Sequence, residues 1–436
     1  MQIDVIGLGV EQPAQLTNNA ISALAGSDMI IGSPRQLELV SGYVGSTRQT
    51  LFDSLEHFSA QLKSQLEQGT EKIAVLASGD PLWFGIGRWL SQFAMREASI
   101  NLMFHPNISS LQAACHRLGV AMDAVQTISV HGRPLNSLRS QLRPNQQVLL
   151  LTDLQSTPLA IATLLQDIGF KDAKLTVLER LGYSDERITQ HHVTRLVNHP
   201  EVFDPLLVCL VETGSNHHQP VRWPTFPGFD DRLFSTDKGN GQGMITKREV
   251  RLQILSLLSP TAGDCIWDIG AGCGSVSVEL AYWCAQANII AIEQHPDRLY
   301  HLRQNQLQFG VERNLRVVAG TASDALTSPL AELPAPNKIF IGGSGGELES
   351  LLSSCWQRLA INGYLLVSAV MEPTRYSAWR FCEAKQRSGT ASFDTLQVNI
   401  SRGESLAGQL CYRPALPVTL LRLQKLAPDT NEVSYG

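Results

Sequence analysis

Short apolar runs alternate with longer amphipathic stretches through most of this chain. In the first half the runs fall at Ile3–Ile6, Met29–Ile31, Ile73–Leu76, Thr127–Val130, Val148–Leu151 and Leu175–Val177. In the second they fall at Cys265–Ile269, Ile289–Ile292, Leu315–Val318, Lys338–Ile341 and Tyr364–Val367. Each is too short for a helix and rich in aliphatic and β-branched residues, which suits a strand buried on both faces. The stretches between them are long enough for crossover helices. The pattern therefore predicts βαβ units and parallel sheets, an α/β fold in both halves.

That rhythm fails between 216 and 243, where Pro220, Pro224 and Pro227 are followed by Gly239, Gly241 and Gly243. Neither a period of 2 nor one of 3.6 survives such a density of breakers. The segment reads as a linker between a first domain over 1–215 and a second over 244–436. Trp223, Phe226 and Phe229 are expected to rest on a domain surface, and His217–His218 to be linker surface instead of metal ligands. No short internal repeat is present, and the halves share an architecture class but no motifs.

Composition changes the picture only by exclusion. A chain of 436 residues predicts two or three domains. Its formal net charge of -5 gives no global field for nucleic acid. A local cluster of arginines can still hold carboxylates. The eight cysteines are scattered without a CxxC pair, so zinc or a disulfide framework is not expected; they read as small hydrophobes in a reducing cytoplasm. Met1–Gly7 reads as a strand entering a glycine turn, not as a signal peptide, and no run approaches the roughly 18 apolar residues of a membrane span. A cytoplasmic protein with no metal, membrane or nucleic-acid partner is expected.

The sharpest local signal is the segment Trp267-Asp268-Ile269-Gly270-Ala271-Gly272-Cys273-Gly274-Ser275. A strand ends, glycines let the backbone turn and approach a ligand, and a helix begins. A dinucleotide fold would show G-x-G-x-x-G, but here the spacing is G-x-G-x-G and Ser275 takes the sixth position. The next strand ends in Glu293, whose carboxylate suits ribose hydroxyls of either NAD or a nucleoside-bearing sulfonium. Gly320-Thr321-Ala322-Ser323-Asp324 follows the third strand. Together these resemble the class I S-adenosylmethionine-dependent methyltransferases. With Met244–Arg251, Ile341–Leu348 and Asn399–Gly403, the whole of 244–436 resembles the C15-methylating, decarboxylating enzymes that process precorrin-6B. That resemblance implies donor contacts at Thr246, Gly270, Ala271, Gly272, Cys273, Gly274, Glu293 and Ala322, and substrate contacts at Gly343 and Gly345.

The first half carries a different set: Gly7-Leu8-Gly9, Ala77-Ser78-Gly79-Asp80-Pro81, His105-Pro106-Asn107-Ile108-Ser109-Ser110 and His131-Gly132-Arg133. Their order resembles the tetrapyrrole methylase family (class III methyltransferases) and its C5-methylating precorrin branch over 1–215. Val10 and Glu11 depart from the usual Pro-Gly, and Asn107 from the usual glycine, which puts the loop shapes in question. The resemblance implies a second S-adenosylmethionine site at Gly9, Gly79, Asp80, Ile86, Ser109 and Ser110. It also implies that His131 and Arg133 grip carboxylate side chains of the macrocycle, a task for which the Arg fork is suited.

Taken together, the chain resembles a fused corrin-ring methyltransferase of cobalamin biosynthesis. The implied reaction methylates precorrin-6B, or its cobalt form, at C5 and C15 and removes the C12 acetate carboxyl, giving a precorrin-8-type product. Electron-rich meso carbons need alignment more than an activated nucleophile, which fits the lack of a triad or metal cluster. Decarboxylation needs a buried carboxylate and a proton source, for which Glu249, Arg251, Ser344 and Arg402 are the polar candidates by motif position. The resemblance also implies a homo-oligomer. The alternatives are a nicotinamide-dependent oxidoreductase, a non-catalytic or RNA-modifying scaffold, and a single-site methyltransferase with an inactive first domain.

Overall fold

In the computed structural model, residues 1–45, 48–51, 54–97, 99–215, 224, 226–243, 245–321 and 333–427 are described. The chain divides into two units, Met1–Leu135 with Leu142–Pro220, and Val221–Gly436 with Asn136–Gln141.

In the first unit the alternation read from the sequence becomes β1 (Gln2–Gly7), α1 (Asn18–Ala25), β2 (Met29–Gly32), α2 (Pro34–Leu39), β3 (Arg48–Leu51), α3 (Leu55–Glu67), β4 (Lys72–Ala77), α4 (Gly87–Ala94), β5 (Asn101–His105) and α5 (Ser110–Leu118). The five strands form one sheet in the order β3-β2-β4-β1-β5, parallel throughout. Ile3, Val5, Ile73 and Val75 pack with Phe58 and Leu62 in one core cluster, while Ile6, Ala74 and Leu76 pack with Leu24 and Leu39 in another. The sheet is thus covered on both faces, as its apolar runs require. Gly7 lies level with Ala77, and Ile6 with His105, so the loops after β1, β4 and β5 emerge at one carboxyl edge.

A second sheet follows: β6 (Gln126–Ser129), β7 (Gln147–Leu151), α6 (Pro158–Asp167), β8 (Lys174–Glu179), β9 (Arg187–His192), α7 (Val193–Asn198) and β10 (Leu207–Glu212). Its order is β6-β7-β10-β8-β9, and only β6 and β7 run parallel. The expectation of parallel strands here is corrected for a steric reason. The few residues between β8 and β9 allow a hairpin, whereas a parallel return needs a dozen or more.

The second unit contains α8 (Arg248–Leu258), β11 (Cys265–Ile269), α9 (Ser275–Trp283), β12 (Asn288–Glu293), α10 (Pro296–Phe309), β13 (Leu315–Ala319), β14 (Lys338–Ile341), α11 (Leu348–Arg358), β15 (Tyr364–Ala369), α12 (Glu372–Arg387) and β16 (Ala391–Val398). After these come β17 (Ser401–Leu406), β18 (Gln409–Pro414) and β19 (Val418–Lys425). The sheet order is β13-β12-β11-β14-β15-β19-β16: five parallel strands, then β19 running antiparallel between β15 and β16. β17 and β18 pair as a separate hairpin.

The proline- and glycine-rich segment is not all linker. Phe229, expected on a surface, is fully buried with Phe234 in the core of the second unit. Its ring meets Tyr282 edge-on at 4.9 Å and Phe309 at 4.8 Å. Breakers remove helix and strand but do not prevent packing, provided the amides find acceptors. Here Glu279 accepts from Gly228 and Phe229 at 2.7 and 3.0 Å. Phe226, expected to rest on a domain surface, is largely exposed, while Trp223 and the His217–His218 pair lie outside the described residues.

Candidate active sites

At the carboxyl edge of β11, β12 and β14 lies a cavity of about 490 Å³. Gly270 and Gly272 line its floor, and with Gly274 they form a turn with φ of +69°, +63° and +81°. That left-handed backbone alone favours glycine. At Gly270 there is a second reason, since an added Cβ would collide with the Gly343 backbone. The loops after β11 and β14 therefore touch through bare main chain. Helix α9 then starts at Ser275 with Gly274 as its N-cap and no side-chain capping bond.

Two buried carboxylates border this turn. Glu293 accepts from Gly272 N–H at 2.8 Å through one oxygen, and from Gln294 and His295 N–H at 2.9 Å through the other. The oxygen bonded to Gly272 keeps a lone-pair site for a ribose hydroxyl. Asp268, at the end of β11, bonds through Oδ2 to the Ser277 hydroxyl, while Oδ1 is buried without a partner among the described residues. Burial pushes its carboxyl up to about 7, against the Ser277 hydrogen bonds, which pull it down. A buried polar atom without a partner is uncommon, and this one borders a cavity. The sequence reading gave Asp268 no role. Its signal was an acid between strand and glycine turn, followed by a serine on the first turn of the helix.

The cavity gathers Thr246, Gly270, Ala271, Gly272, Glu293, Gly343, Ser344, Gly345 and Arg402, all singled out from the sequence. It also holds Lys247, Gln294, His295 and Arg298, which the sequence reading missed. Cys273 and Gly274 complete the turn but face away from the cavity. Cys273 is buried in the core cluster, and an added Cβ on Gly274 would meet Leu302. Ala322 lies outside the described residues. Glu249 is half-exposed and outside the cavity lining, where its carboxylate accepts from Arg402 at 2.7 Å.

Arg251 does not belong with the proton-donor candidates. It is wholly buried and absent from the cavity lining. Its guanidinium donates to Glu279 at 2.6 Å, Asp231 at 3.0 Å, and the carbonyls of Thr246 and Phe229. It also lies 4.8 Å from the Phe234 ring centre. Four of its five N–H groups are thus engaged, and guanidinium does not release protons near neutrality. Arg251 instead fastens the 228–246 strap to α9, and that strap brings Ile245 and Thr246 to the cavity.

In the first unit the convergent loops meet through main chain. Gly9 and Gly79 exchange both N–H···O bonds at 3.2 Å. Asn107 explains its own departure from glycine: its amide donates to the carbonyls of Gly7 and Gln15 at 3.0 and 2.9 Å, knitting two loops together. Asp80 accepts from Leu82 and Trp83 N–H, so its carboxylate shapes the loop. Ser109 caps α5 in a capping box with Gln112, Ser110 is the first residue of that helix, and Ile86 opens α4. His131 Nδ1 lies 3.1 Å from the Thr152 carbonyl, and Arg133 donates to the Ser129 carbonyl. Both remain exposed at the end of β6.

The chain matches the tetrapyrrole (corrin/porphyrin) methylase family over residues 2–197 and the precorrin methyltransferase domain family over 237–425. A Sinorhizobium protein named precorrin-6Y C(5,15)-methyltransferase [decarboxylating] is 35% identical over 417 residues, covering 96% of this chain and 95% of its own. A Mycobacterium tuberculosis protein of the same name is 30% identical over 422 residues, covering 96% and 98%. A probable cobalt-precorrin-6B C(15)-methyltransferase (decarboxylating) from Pyrobaculum aerophilum is 29% identical over 203 residues, 46% of this chain and 98% of its own. Fold and relatives together define a fused methyltransferase, with a tetrapyrrole methylase part followed by a Rossmann-like methyltransferase part. The chain belongs to the precorrin-6Y C5,15-methyltransferase (decarboxylating) family. Methyltransferases of this family use S-adenosylmethionine as methyl donor. Among the described residues no helix is long and apolar enough to cross a membrane.

Proposed function

We infer that this enzyme methylates precorrin-6B or its cobalt form at C5 and C15 and decarboxylates the C12 acetate. The first domain, 1–215, acts at C5; the second, 244–436, acts at C15 and releases CO2. Each has its own donor site. The observation that carries the reading is the second unit's cavity, where bare glycine backbone, buried Glu293 and the unpartnered Asp268 oxygen form a cradle that side chains on the turn would fill. That cradle fits an adenosyl group with an amino-acid tail. Names of relatives as methyltransferases favour this over a nicotinamide oxidoreductase.

S-adenosylmethionine supplies an electrophilic methyl group on a sulfonium. Glu293 holds the ribose and the Gly270–Gly274 turn admits the tail, while Asp268 accepts from its ammonium. Held so, the methyl group would lie in line with a meso carbon, whose enamine-like electron pair would form the new C–C bond as the S–CH3 bond breaks and the neutral thioether departs. Alignment of this kind offsets several kcal/mol of barrier. For decarboxylation, Arg402 holds the acetate carboxylate and Glu249 keeps Arg402 in place. The C–CO2 electron pair passes into the conjugated ring, and Ser344, which lines the same cavity, relays a proton to the remaining carbon. Gly343 and Gly345 leave room for the macrocycle. In the first domain, Gly9, Gly79, Asp80, Ile86, Ser109 and Ser110 shape the donor pocket, and His131 and Arg133 take peripheral carboxylates.

The test is mass spectrometry of precorrin-6B incubated with enzyme and S-adenosylmethionine. Two CH2 increments and loss of one CO2 are expected. Unchanged substrate would overturn the reading, and a single increment would reduce the enzyme to one working site.

A further inference from the structure

The first unit presents two features that the proposed donor site does not include, and the first lies in the segment after β4. Leu82, Trp83 and Phe84 are consecutive large apolar residues with 57, 39 and 42% of their surface exposed. Isolated exposed hydrophobes are ordinary, but these three share a loop that is firmly held. Asp80 accepts from the amides of Leu82 and Trp83, and Gly87 N–H donates to the Pro81 carbonyl at 2.9 Å. An added Cβ on Gly85 or Gly87 would come within 2.6 Å of that carbonyl. Phe84 itself adopts φ +56°, an unfavourable backbone for a bulky side chain. Strain of this sort persists where the surroundings impose it, and it clusters at functional sites.

The second feature is Arg35, exposed on the first turn of α2. Nη2 donates to Ser78 Oγ at 2.8 Å and Nη1 to the Tyr183 hydroxyl at 3.3 Å. Ser78 also accepts from Gln36 at 3.1 Å. These partners are neutral, and among the described residues no carboxylate pairs with Arg35. Tyr183 is itself set in place: the Arg180 guanidinium lies 4.6 Å from its ring centre, and Arg180 has φ +50°. Gly182 approaches the Val10 carbonyl so closely that no Cβ would fit. An arginine oriented by two hydroxyls, with its charge uncompensated, is a ready anion receptor.

We propose that Arg35 and the Leu82–Trp83–Phe84 loop form a substrate subsite in the first unit, in which Arg35 takes one peripheral carboxylate and the loop covers the adjoining apolar ring surface. This rests on the reading that the first unit methylates a tetrapyrrole. A reduced tetrapyrrole acid is flat, apolar across its ring and anionic at its rim, so it complements both features at once. Tyr183 and Ser78 are positioning residues that act through Arg35.

The test is steady-state kinetics of C5 methylation by the full chain, with CO2 release followed as an internal reference for the second unit. Arg35→Ala should raise the KM for the tetrapyrrole about tenfold or more, the range for losing a charge-assisted hydrogen bond, with the KM for S-adenosylmethionine moving less than about twofold. Arg35→Lys should recover part of the loss. Tyr183→Phe should shift the tetrapyrrole KM in the same direction by less. Binding of a stable corrin polycarboxylate and of its methyl ester separates the two contributions. Arg35→Ala should weaken only the acid, and Trp83→Ala both. Equal KM values for wild type and Arg35→Ala, or a change in oligomeric state on Trp83→Ala without a change in KM, would overturn the subsite. If the wild-type chain gives no C5 methyl group at all, the parent reading falls and the subsite falls with it.

Discussion

Asp268 is the residue whose environment most directly predicts a measurable behaviour. Its carboxyl titrates near 3.8 when solvated and near 7 in the folded chain, because burial disfavours the charge. Between those values the folded state binds more protons than the unfolded state, so this group's contribution to stability is complete below about pH 4. It is lost as pH rises toward 7. The melting temperature of Asp268→Asn, compared with wild type from pH 4 to 8, should lack that downward slope. Donor binding through an ionised Asp268 has the opposite sense: affinity should fall as pH drops below about 7, and calorimetry of the Asn variant should show weaker, pH-insensitive binding. Single residues were also where sequence reading was least secure. Thr246, Ser344 and Arg402 reach the cavity as expected, because strand-end loops converge by topology. Arg251 sits one turn along the same motif yet points into the core. A charged residue on a helix reads as solvent-facing unless its partners are known, and Glu279 lies 28 positions away.

At the level of elements, the strap from Gly228 to Thr246 shows how a segment whose described residues form only one short 3-10 turn is held. Arg251, Glu279 and Asp231 form its fastening, and Phe229 and Phe234 are its buried anchors. Replacing Arg251 by Ala strands Glu279 as a buried charge, a change that costs about 3–5 kcal/mol. A thermal melt should show the transition of the second unit falling while that of the first stays in place. Adding Glu279→Gln to Arg251→Ala should recover part of the loss, since the side-chain carbonyl still accepts from the strap amides while the buried charge is removed. Most parallel strands were legible from short aliphatic runs, but β3 (Arg48–Leu51) and β5 (Asn101–His105), which are not such runs, were missed. β16–β18 were not legible either, because their residues are largely exposed and carry no apolar alternation. The strap was misread for a related cause: proline and glycine announce what backbone cannot do, while the burial of two phenylalanines depends on α9 and α10.

For the whole molecule the decisive property is that each unit builds its own glycine-lined carboxyl edge. Gly270→Ala forces a Cβ into the Gly343 backbone, and Gly79→Ala places one 3.1 Å from Ser109 Cα at φ +64°. Product analysis should find that the first variant loses C15 methylation and CO2 release, at least about a hundredfold, while C5 methylation continues. Gly79→Ala should do the reverse. Simultaneous loss of both activities in either variant would argue for a single shared site.

A catalyst that stores an alkylating agent must also protect itself. Cys273 sits inside the very turn that borders the donor cavity, yet its sulfur is buried among hydrophobic side chains and its thiol is pushed up to about 11. Cys355 and Cys382 are likewise pushed up to about 12 by burial. Only thiolate sulfur attacks an electrophilic carbon readily, and at neutral pH about one Cys273 in ten thousand would be ionised. Prolonged exposure to the sulfonium should therefore leave Cys273 unmodified in peptide mass mapping, because its sulfur is kept blunt.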